Sequence, residues 1–588
     1  MKKLSREAKL LTAIFFITLF QVSYSQKKKK KMLDHTVYDS WKDLRNPLIS
    51  YNGNWISYEV NPQYGDGFLF LHNPSKNYKD SIARGYNAGF SAENNFLVFK
   101  IKPFHDSIRQ AKIDKKKEDE MPEDSLGVWI FSQDTIIKFP DVKSCKTGKN
   151  AGNWIVFQKE NIPEQENDTT SSDEDKNDKN HKKNGDVSPL IIYNPINSKK
   201  LEYENVSDYV ISKNGKTIVF TTQQNDSLKI SGLKAFYTEN EELTDVFTDT
   251  GKIIHPAVHE KGEMISFMFS ADTTEHKVFD LYFYKKGKDT EKIITADHPA
   301  MPDDWAVSEH TSAWFSEDGE KLFFKTRQAP VKKEKDTIPD DEKVKIDLWS
   351  WTDPLLQTQQ LAELEKEQKR DYLAVYHLKD GEMLQLADEE VRNVRLLNKG
   401  NTQIALGYTR IPYLKEISWD YPYYKDYYSM NLQTGKRKLL LDKSKSYTSM
   451  SPGGNYFAWY EEADSSWNLL SVENGHTSKL TAGLEAAFYD ELHDYPVEPL
   501  PYGMAGWTEK DRFLLLYDRY DIWKFDTSGK EKPEKLTNGR EQKIRFRYKK
   551  LDPEEKFIDI GKDLILSAFN EENKQSGFYR LNIKSGNL

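Results

Sequence analysis

Apolar and polar residues alternate in short stretches that recur along the chain, each preceded by a polar residue and a turn. In residues 451–462, SPGGNYFAWYEE, Ser451 and a Pro-Gly-Gly-Asn turn precede the alternating residues. A period of two residues is typical of a half-buried β-strand. Glycine and asparagine tolerate the positive φ angles of a tight hairpin turn. The stretch therefore predicts the turn and the following strand of a β-hairpin.

The same pattern is visible ten times in the sequence. Several copies are followed by a second strand, turn and strand, such as WNLLSVENGHTSKLT from Trp467, so a full repeat contains about four strands. The copies begin at Ser50, Ser91, Gly148, Ser212, His259, Ser316, Asn398, Ser451, Thr508 and Asp559.

The spacing of the copies indicates the architecture. Successive turns are separated by roughly 41 to 81 residues, and the shortest spacings match the ~40 to 50 residues of a four-stranded propeller blade. A single blade cannot bury both of its faces, so blades stack around a ring. We predict an all-β fold, a seven- or eight-bladed β-propeller over residues 49–588, after a lead-in segment at 26–48. Because ten copies exceed that number, we expect some on second hairpins or in connections outside the ring.

Three insertions interrupt the repeats. Residues 106–126 are highly charged with helical character, and residues 163–188 contain almost no apolar residue and predict a disordered surface loop. Residues 328–371 contain leucines with the spacing of an amphipathic helix. The leucines are Leu355, Leu356, Leu361 and Leu364. We expect this helix to pack through them; the alternative is an insertion that caps the ring or contacts another domain.

The first 25 residues predict an export signal. A basic region precedes the apolar run LLTAIFFITLF, and residues 23–25, Ser-Tyr-Ser, offer a cleavage site. This run of eleven residues is too short to cross a bilayer, which needs about 20. We expect cleavage after Ser25, no stable membrane span, and a periplasmic or extracellular protein.

The amino-acid composition limits the classes of binding partner and the sources of stability. Aromatic residues make up 13% of the chain, enough to build extensive sheet cores. Lys and Arg total 85 against 93 Asp and Glu, and this small imbalance does not indicate nucleic acid as a partner. The single cysteine, Cys145, cannot form an intramolecular disulfide, so stability must come from packing.

Motifs for catalysis or metal binding do not stand out. The sequence contains no Gly-x-Ser-x-Gly nucleophile elbow and no His-Glu-x-x-His zinc motif; in HPAVHE, His255, His259 and Glu260 have the wrong order. The stretch NGKT from Asn214 lacks the upstream glycine of a phosphate-binding loop, which favours a turn. Cys145 has no neighbouring histidine, which favours a packed residue over a nucleophile. We therefore assign no catalytic, cofactor-binding or metal-binding residue and expect no cofactor.

One carboxylate pair allows two interpretations. Glu461 and Glu462 follow each other in WYEEADSSW, and two adjacent carboxylates can recognise the free amino terminus of a substrate. They also stand at the end of a predicted strand, where other copies of the repeat carry polar residues. A polar strand end is therefore the simpler interpretation.

Several longer phrases of the sequence are similar to one family. The chain resembles the amino-terminal part of exported prolyl oligopeptidase and dipeptidyl peptidase-like serine peptidases of Bacteroidota-type bacteria, over about residues 33–588. The phrases are LDHTVYDSWKDLRNPLISYNGNWISYEVNPQYGDG from Leu33, EMPEDSLGVW from Glu120, RDYLAVYHL from Arg370 and ISWDYPYYKDYYSMNLQTGKRKLLL from Ile417.

The resemblance implies a function. In that family a propeller controls access to a carboxy-terminal α/β-hydrolase domain with a Ser-Asp-His triad, and this chain stops at LNIKSGNL without such a domain. We therefore expect a non-catalytic, substrate-gating propeller whose partners are peptide substrates or a separate hydrolase domain. The alternative is a free-standing exported propeller that binds peptides or proteins.

Overall fold

The computed structural model describes residues 34–160, 187–224, 229–272, 276–330, 338–339, 341–344, 346 and 348–588. The predicted export signal and nearly all of the predicted loop at 163–188 lie outside the described residues. The chain divides into two units, Met1–Lys143 and Ser144–Leu588.

The first unit contains two antiparallel sheets of four strands, hydrogen-bonded in chain order. The two sheets share a core that includes Leu71, Phe99 and Trp129. The helix α1, His105–Ile113, lies between the sixth and seventh strands, within the first predicted insertion. The strands are β1 (Lys42–Ile49), β2 (Ile56–Pro62), β3 (Phe68–Asn73), β4 (Tyr78–Ala83), β5 (Gly85–Phe90), β6 (Phe96–Ile101), β7 (Ser125–Ile130) and β8 (Thr135–Phe139).

The second unit begins with a sheet of seven strands in chain order. Its strands are β9 (Val142–Thr147), β10 (Ile155–Lys159), β11 (Ser188–Asn194), β12 (Lys199–Ile211), β13 (Thr217–Gln223), β14 (Ile230–Tyr237) and β15 (Glu242–Thr250). The central strand β12 has 13 residues. Its first half pairs with β11 and its second half with β13, and Val206 is the residue that pairs with both. The sheet is therefore two four-stranded repeats that share one strand.

Six further sheets follow in chain order, and most of them contain four strands. The first three consist of β16 (Lys252–Val258), β17 (Met264–Ser270), β18 (Asp280–Lys285) and β19 (Glu291–Ile294); β20 (Trp305–Val307), β21 (Trp314–Phe315), β22 (Lys321–Gln328), β23 (Tyr372–His377) and β24 (Glu382–Gln385); β25 (Asn393–Leu396), β26 (Ile404–Thr409), β27 (Lys425–Asn431) and β28 (Arg437–Ser444).

The last three sheets complete the unit, and the final one has three strands. They consist of β29 (Thr448–Met450), β30 (Tyr456–Glu461), β31 (Ser466–Ser471) and β32 (Thr477–Lys479); β33 (Met504–Trp507), β34 (Phe513–Tyr517), β35 (Ile522–Asp526) and β36 (Glu534–Lys535); β37 (Ile544–Tyr548), β38 (Leu564–Asn570) and β39 (Ser576–Leu581).

The apolar cores of the second unit lie between consecutive sheets. In β34, Leu514 and Leu516 pack into a core with the preceding sheet, whereas Leu515 and Tyr517 pack into a core with the following sheet. All five residues of this strand are buried, because each of its faces packs against a neighbouring sheet. Because each sheet contributes to two cores, each repeat needs its neighbours to bury its apolar residues. Every repeat has the same packing requirement, which explains why the sequence pattern recurs.

In six of the ten copies, the Ser or Thr that opens the copy has a structural role in the turn. The backbone N–H of Trp55 donates to Ser50 Oγ at 2.9 Å, and equivalent bonds reach Ser451 Oγ at 3.0 Å and Thr508 Oγ1 at 2.9 Å. These hydroxyls are buried, so each satisfies an N–H that would otherwise lack a partner. All ten turns join the first and second strands of a repeat, so none lies on a second hairpin, and two of the ten lie in the first unit.

The predicted all-β fold is confirmed. A closed ring is not observed: within the described residues, no sheet combines a strand from the start of the second unit with a strand from its end. The helix α2, Gln357–Gln368, lies in the third predicted insertion. Its predicted packing is wrong: Leu356, Leu361 and Leu364 are 55%, 59% and 48% exposed. Among the described residues, no helix is both long and apolar enough to cross a membrane.

Candidate functional site

The strand order gives every repeat two different ends. We call the end with the turn between the first and second strands the turn end. Because neighbouring strands are antiparallel, the connection between the second and third strands lies at the opposite end, which we call the loop end. In the sheet β29–β32, the turn at 451–455 and the hairpin at 462–465 stand at the two ends of β30.

Hydrogen bonds link consecutive turns at the turn end of the second unit. Asn214 Nδ2 donates to the carbonyl of Lys261 at 2.9 Å. His259 Nε2 donates to the carbonyl of Glu317 at 3.1 Å, and Asn401 Nδ2 donates to Glu317 Oε2 at 3.0 Å. The turns of four successive repeats are therefore joined side by side.

Six charged side chains meet at this end and form what we call the turn-end cluster. Its ion pairs are Lys213 Nζ to Glu260 Oε1 at 2.5 Å, Lys213 Nζ to Glu554 Oε2 at 2.9 Å, Lys399 Nζ to Glu554 Oε2 at 2.7 Å, Lys399 Nζ to Glu317 Oε1 at 3.5 Å, and Lys556 to Glu317. Three lysines face three glutamates, so the formal charges balance.

The cluster joins repeats that are far apart in the chain. Glu554 lies 341 residues from Lys213 and 155 residues from Lys399, yet its carboxylate contacts both ammonium groups. Sheets that pack only on their neighbours bring such distant turns together only if the stack curves around a common point. The turn-end cluster therefore lies where the turns of the second unit converge.

The electrostatics of the cluster are those of a satisfied network. Hydrogen bonds from Lys213 and Lys399 lower the pKa of the Glu554 carboxyl to about 2. Burial alone would lower the pKa of the Lys213 ammonium, but hydrogen bonds with Glu260 and Glu554 outweigh burial and raise it. The paired charges thus stabilise one another.

Two carboxylates at the loop end have different surroundings. Glu461 ends strand β30 and Glu462 follows it, and both are half-buried. Burial raises the pKa of the Glu462 carboxyl; Lys445 lowers it, and the charges of Glu461 and Glu498 raise it further. Within the described residues, neither carboxylate has a side-chain hydrogen bond or an ion pair within 4.0 Å.

The nearby lysine is already engaged. Lys445 pairs with Asp420 and stands 4.4 Å from the centre of the Tyr424 ring. Its charge is therefore shared with a carboxylate that lies outside the Glu461–Glu462 pair. The three glutamates leave an excess of negative charge, which suits a cation such as a protonated amine.

The repeat pattern does not require two consecutive carboxylates at the position of Glu461 and Glu462. At the equivalent strand ends the preceding repeat carries Thr409 and Arg410, and the following repeat carries Tyr517 and Asp518. A polar strand end is common to these repeats, but two consecutive carboxylates are not. The amine-binding interpretation of Glu461 and Glu462 is therefore retained.

The loop end also carries an exposed aromatic surface, which we define by Trp349, Trp351 and Trp419. Their exposed fractions are 69%, 90% and 74%. The three indoles line a cavity of ≈ 230 Å³ together with Leu356 and Lys415. Contiguous exposed apolar surface of this kind marks an interaction site.

The other residues singled out in the sequence have structural roles. Asn214 Oδ1 accepts from Ser212 Oγ at 2.7 Å within the turn. His259 replaces the serine of its copy: its Nδ1 accepts from the N–H of Lys261 at 3.3 Å. Cys145 lies half-buried in β9. No group of metal-ligating side chains suited to a metal ion occurs in the described part of the chain.

Sequence reasoning missed the turn-end cluster, although a signal was present. Lys213, Glu260, Glu317 and Lys399 each occupy the second position of a copy, in SKNG, HEKG, SEDG and NKGN. Charged residues at one position in four consecutive copies indicate a shared location. Comparing the copies position by position would have identified four of its six residues, but not Glu554 and Lys556.

No family model matches the sequence, and no curated protein matches it. Among solved structures, the chain is similar to a eukaryotic initiation factor, with 10% identity, a TM-score of 0.36 and coverage of 78% of this chain and 92% of that chain. It is similar to the β-propeller domain of the trilobed protease from Pyrococcus furiosus, with 12% identity, a TM-score of 0.28 and coverage of 69% and 99%.

A third similar structure is the acylaminoacyl peptidase of Pyrococcus horikoshii, with 10% identity and a TM-score of 0.29. The alignment covers 74% of this chain and 59% of the peptidase. All three TM-scores are below 0.5, so the assignment of a function depends on the residues of this chain.

Proposed function

We propose that this chain is the β-propeller of a serine peptidase that acts on peptides, and that it controls access to a separate α/β-hydrolase domain. The chain by itself is not catalytic. The resemblance of its phrases over about residues 33–588 supports the enzyme class. Eight of the ten copies, from Gly148 onward, lie in Ser144–Leu588, which supports an eight-bladed ring in that unit.

The turn-end cluster is the observation that carries the gating role. Its ion pairs span the point at which the turns converge, with Glu554 between Lys213 and Lys399. A ring whose opening is crossed by paired charges excludes folded proteins and wide substrates at that end. Limited access is the property required of a gating propeller.

The loop end supplies the two surfaces that the enzyme needs in this proposal. The carboxylates of Glu461 and Glu462 bind the amino group of a peptide. The exposed indoles of Trp349, Trp351 and Trp419 form the surface on which the hydrolase domain docks, since burying them removes a large apolar area from water.

A peptidase assay tests the proposal. The purified chain is incubated with dipeptidyl and prolyl chromogenic peptides, with and without a serine-directed phosphonate. We expect no phosphonate-sensitive turnover, because the sequence contains no nucleophile elbow. Turnover that the phosphonate abolishes would show a reactive serine in this chain and contradict the proposal.

A free-standing propeller that binds peptides or proteins is the second candidate, and the aromatic surface favours it equally. The coding sequence directly downstream distinguishes the two. A following reading frame with Gly-x-Ser-x-Gly supports the peptidase, whereas unrelated neighbours support the binding protein.

We also propose export to the periplasm or the cell exterior, on the basis of residues 1–25. Mass spectrometry of the protein from its natural source tests this. An amino terminus at Gln26 supports export, and an intact Met1 contradicts it.

A further inference from the structure

A pocket on the last sheet of the second unit has no role in the function proposed above. It is formed by the three strands β37, β38 and β39, and its volume is ≈ 370 Å³. Volumes of about 300 to 1,000 Å³ are typical of sites for small molecules. The side chains of its lining include those of Arg545, Arg547, Ser567, Phe569, Ser576 and Phe578.

These side chains share one face of the sheet. Phe546 and Leu566 pack into the core with the preceding sheet. Because successive side chains of a strand point to opposite faces, their neighbours in sequence lie on the other face. Two rows of side chains cross the three strands there. The rows are Arg547, Ser567 and Phe578, and Arg545, Phe569 and Ser576.

The two arginines of the pocket have no carboxylate partner. Within the described part of the chain, neither Arg545 nor Arg547 lies within 4.0 Å of a carboxylate oxygen. The other arginines from residue 512 onward all do. These are Arg512, Arg519, Arg540 and Arg580.

Neutral groups hold the guanidinium of Arg547. Its Nη1 donates to the carbonyl of Phe546 at 2.7 Å, and its Nη2 donates to the carbonyls of Asp518 and Arg519 at 3.1 and 3.2 Å. Its Cζ stands 4.4 Å from the centre of the Tyr517 ring. Since a guanidinium has five N–H donors, at least two remain for a ligand. Burial lowers the pKa of this guanidinium, so these contacts fix its position without fully compensating its charge.

The second guanidinium is more accessible. Arg545 is exposed, and its Cζ stands 5.4 Å from the centre of the Phe569 ring. A cation–π contact of this kind uses none of the N–H donors. Glu571 interacts electrostatically with Arg545, but its carboxylate pairs with Arg519 at 2.7 Å and accepts from Tyr520 Oη at 2.9 Å. The charge of Glu571 is therefore neutralised by another arginine.

The apolar part of the pocket is aromatic. Phe569 is half-buried in the middle strand, and Phe578 is 73% exposed on the neighbouring strand. Two phenyl rings offer flat apolar surface against which a further ring can pack.

We propose that this pocket binds a carboxylate attached to an aromatic ring, as in an aryl acid or a peptide that ends in phenylalanine. The carboxylate accepts from Arg545 and Arg547, whose planar N–H groups match its two oxygens. The ring of the ligand packs on Phe569 and Phe578. This proposal does not depend on the peptidase function.

Binding of small probes to the purified full chain tests the proposal by isothermal titration calorimetry. Phenylacetate is compared with phenylacetamide, which has the same shape and no charge. We expect the acid to bind at least about tenfold more tightly than the amide, because only the acid forms charge-assisted hydrogen bonds. Equal affinity of acid and amide, or no binding of phenylacetate at about 10 mM, would overturn the proposal.

N-acetyl-phenylalanine separates the two sources of the ligand. If it binds more tightly than phenylacetate, the pocket recognises a peptide end; if it binds equally or more weakly, the pocket recognises a free aryl acid. Either result supports the carboxylate site.

Matched arginine variants locate the binding. We expect Arg545→Gln to weaken phenylacetate binding by about fivefold, because one guanidinium is lost from the pocket. Arg580→Gln removes an equal charge from an exposed residue of β39 that does not line the pocket, and leaves binding unchanged. Equal effects of the two variants would place the ligand elsewhere and contradict the proposal.

Discussion

Two glutamates at opposite ends of the repeats of the second unit have opposite surroundings. At the turn end, Glu554 contacts two lysines, and these contacts lower its carboxyl pKa to about 2. At the loop end, burial and neighbouring carboxylates raise the pKa of Glu462. The turn end is therefore internally satisfied, whereas within the described residues the loop end retains unpaired carboxylates and exposed apolar surface.

Asp511→Ala should have the largest effect on stability, because Asp511 is buried in a turn. Its carboxylate accepts from Ser451 Oγ at 2.6 Å, Gly453 N at 2.9 Å and Asn455 Nδ2 at 2.9 Å. Removing it leaves these donors without an acceptor, and we expect a loss of about 3 kcal/mol in the free energy of unfolding. Urea denaturation of the purified chain measures this.

Asp464→Ala is the matched control for Asp511→Ala. Asp464 lies in the loop-end hairpin and pairs with Lys479 at the protein surface. We expect a change within about 0.5 kcal/mol. Equal losses in the two variants would mean that the two ends do not differ in how their acidic residues are satisfied.

Glu554→Gln removes the carboxylate that joins Lys213 and Lys399. The side chain of Glu554 is 42% exposed, so solvent screens the pairs, and we expect a loss of about 1 kcal/mol at pH 7. The folded-state pKa is depressed, so this stability is present above the unfolded-state pKa near 4.5 and is lost as the pH falls towards about 2. Between pH 7 and pH 3, urea denaturation should show a smaller decrease in the free energy of unfolding for the variant than for the wild type.

Glu462→Gln should change the free energy of unfolding in the opposite direction from Glu554→Gln, and by a smaller amount. Because the folded-state pKa of Glu462 is raised, its ionised form is disfavoured in the folded chain at neutral pH. Neutralising it should increase the free energy of unfolding by a few tenths of a kcal/mol, roughly 0.3. A clear loss of stability in denaturant at pH 7 would indicate a paired carboxylate and remove Glu462 from the proposed amine site.

Trp351→Ser alters the loop end without a change in stability. The indole of Trp351 is 90% exposed, so we expect the free energy of unfolding to change by less than about 0.3 kcal/mol. Sedimentation velocity should show less self-association than for the wild type, because exposed apolar surface promotes association. Unchanged self-association would argue against the aromatic surface as a docking site.

The sequence predicted the repeats because their turns combine local signals: the opening serine, the glycine at positive φ and the apolar strand. It did not predict the turn-end cluster, because contacts such as Lys213 to Glu554 depend on how the sheets curve, and no local pattern specifies that curvature. The spacing of the leucines predicted helix α2 correctly. It did not predict that these leucines are exposed, because periodicity identifies an apolar face and does not say whether another element covers it.

Strand β12 has a consequence for cooperativity. Since Val206 pairs with Ser188 on one side and Thr222 on the other, opening this strand breaks the hydrogen bonds of both halves of the seven-stranded sheet. Native-state hydrogen exchange should therefore report β10 to β14 as one foldon, whose amides become exposed in a single subglobal opening. A cut or an inserted proline at the middle of β12 would release two repeats together.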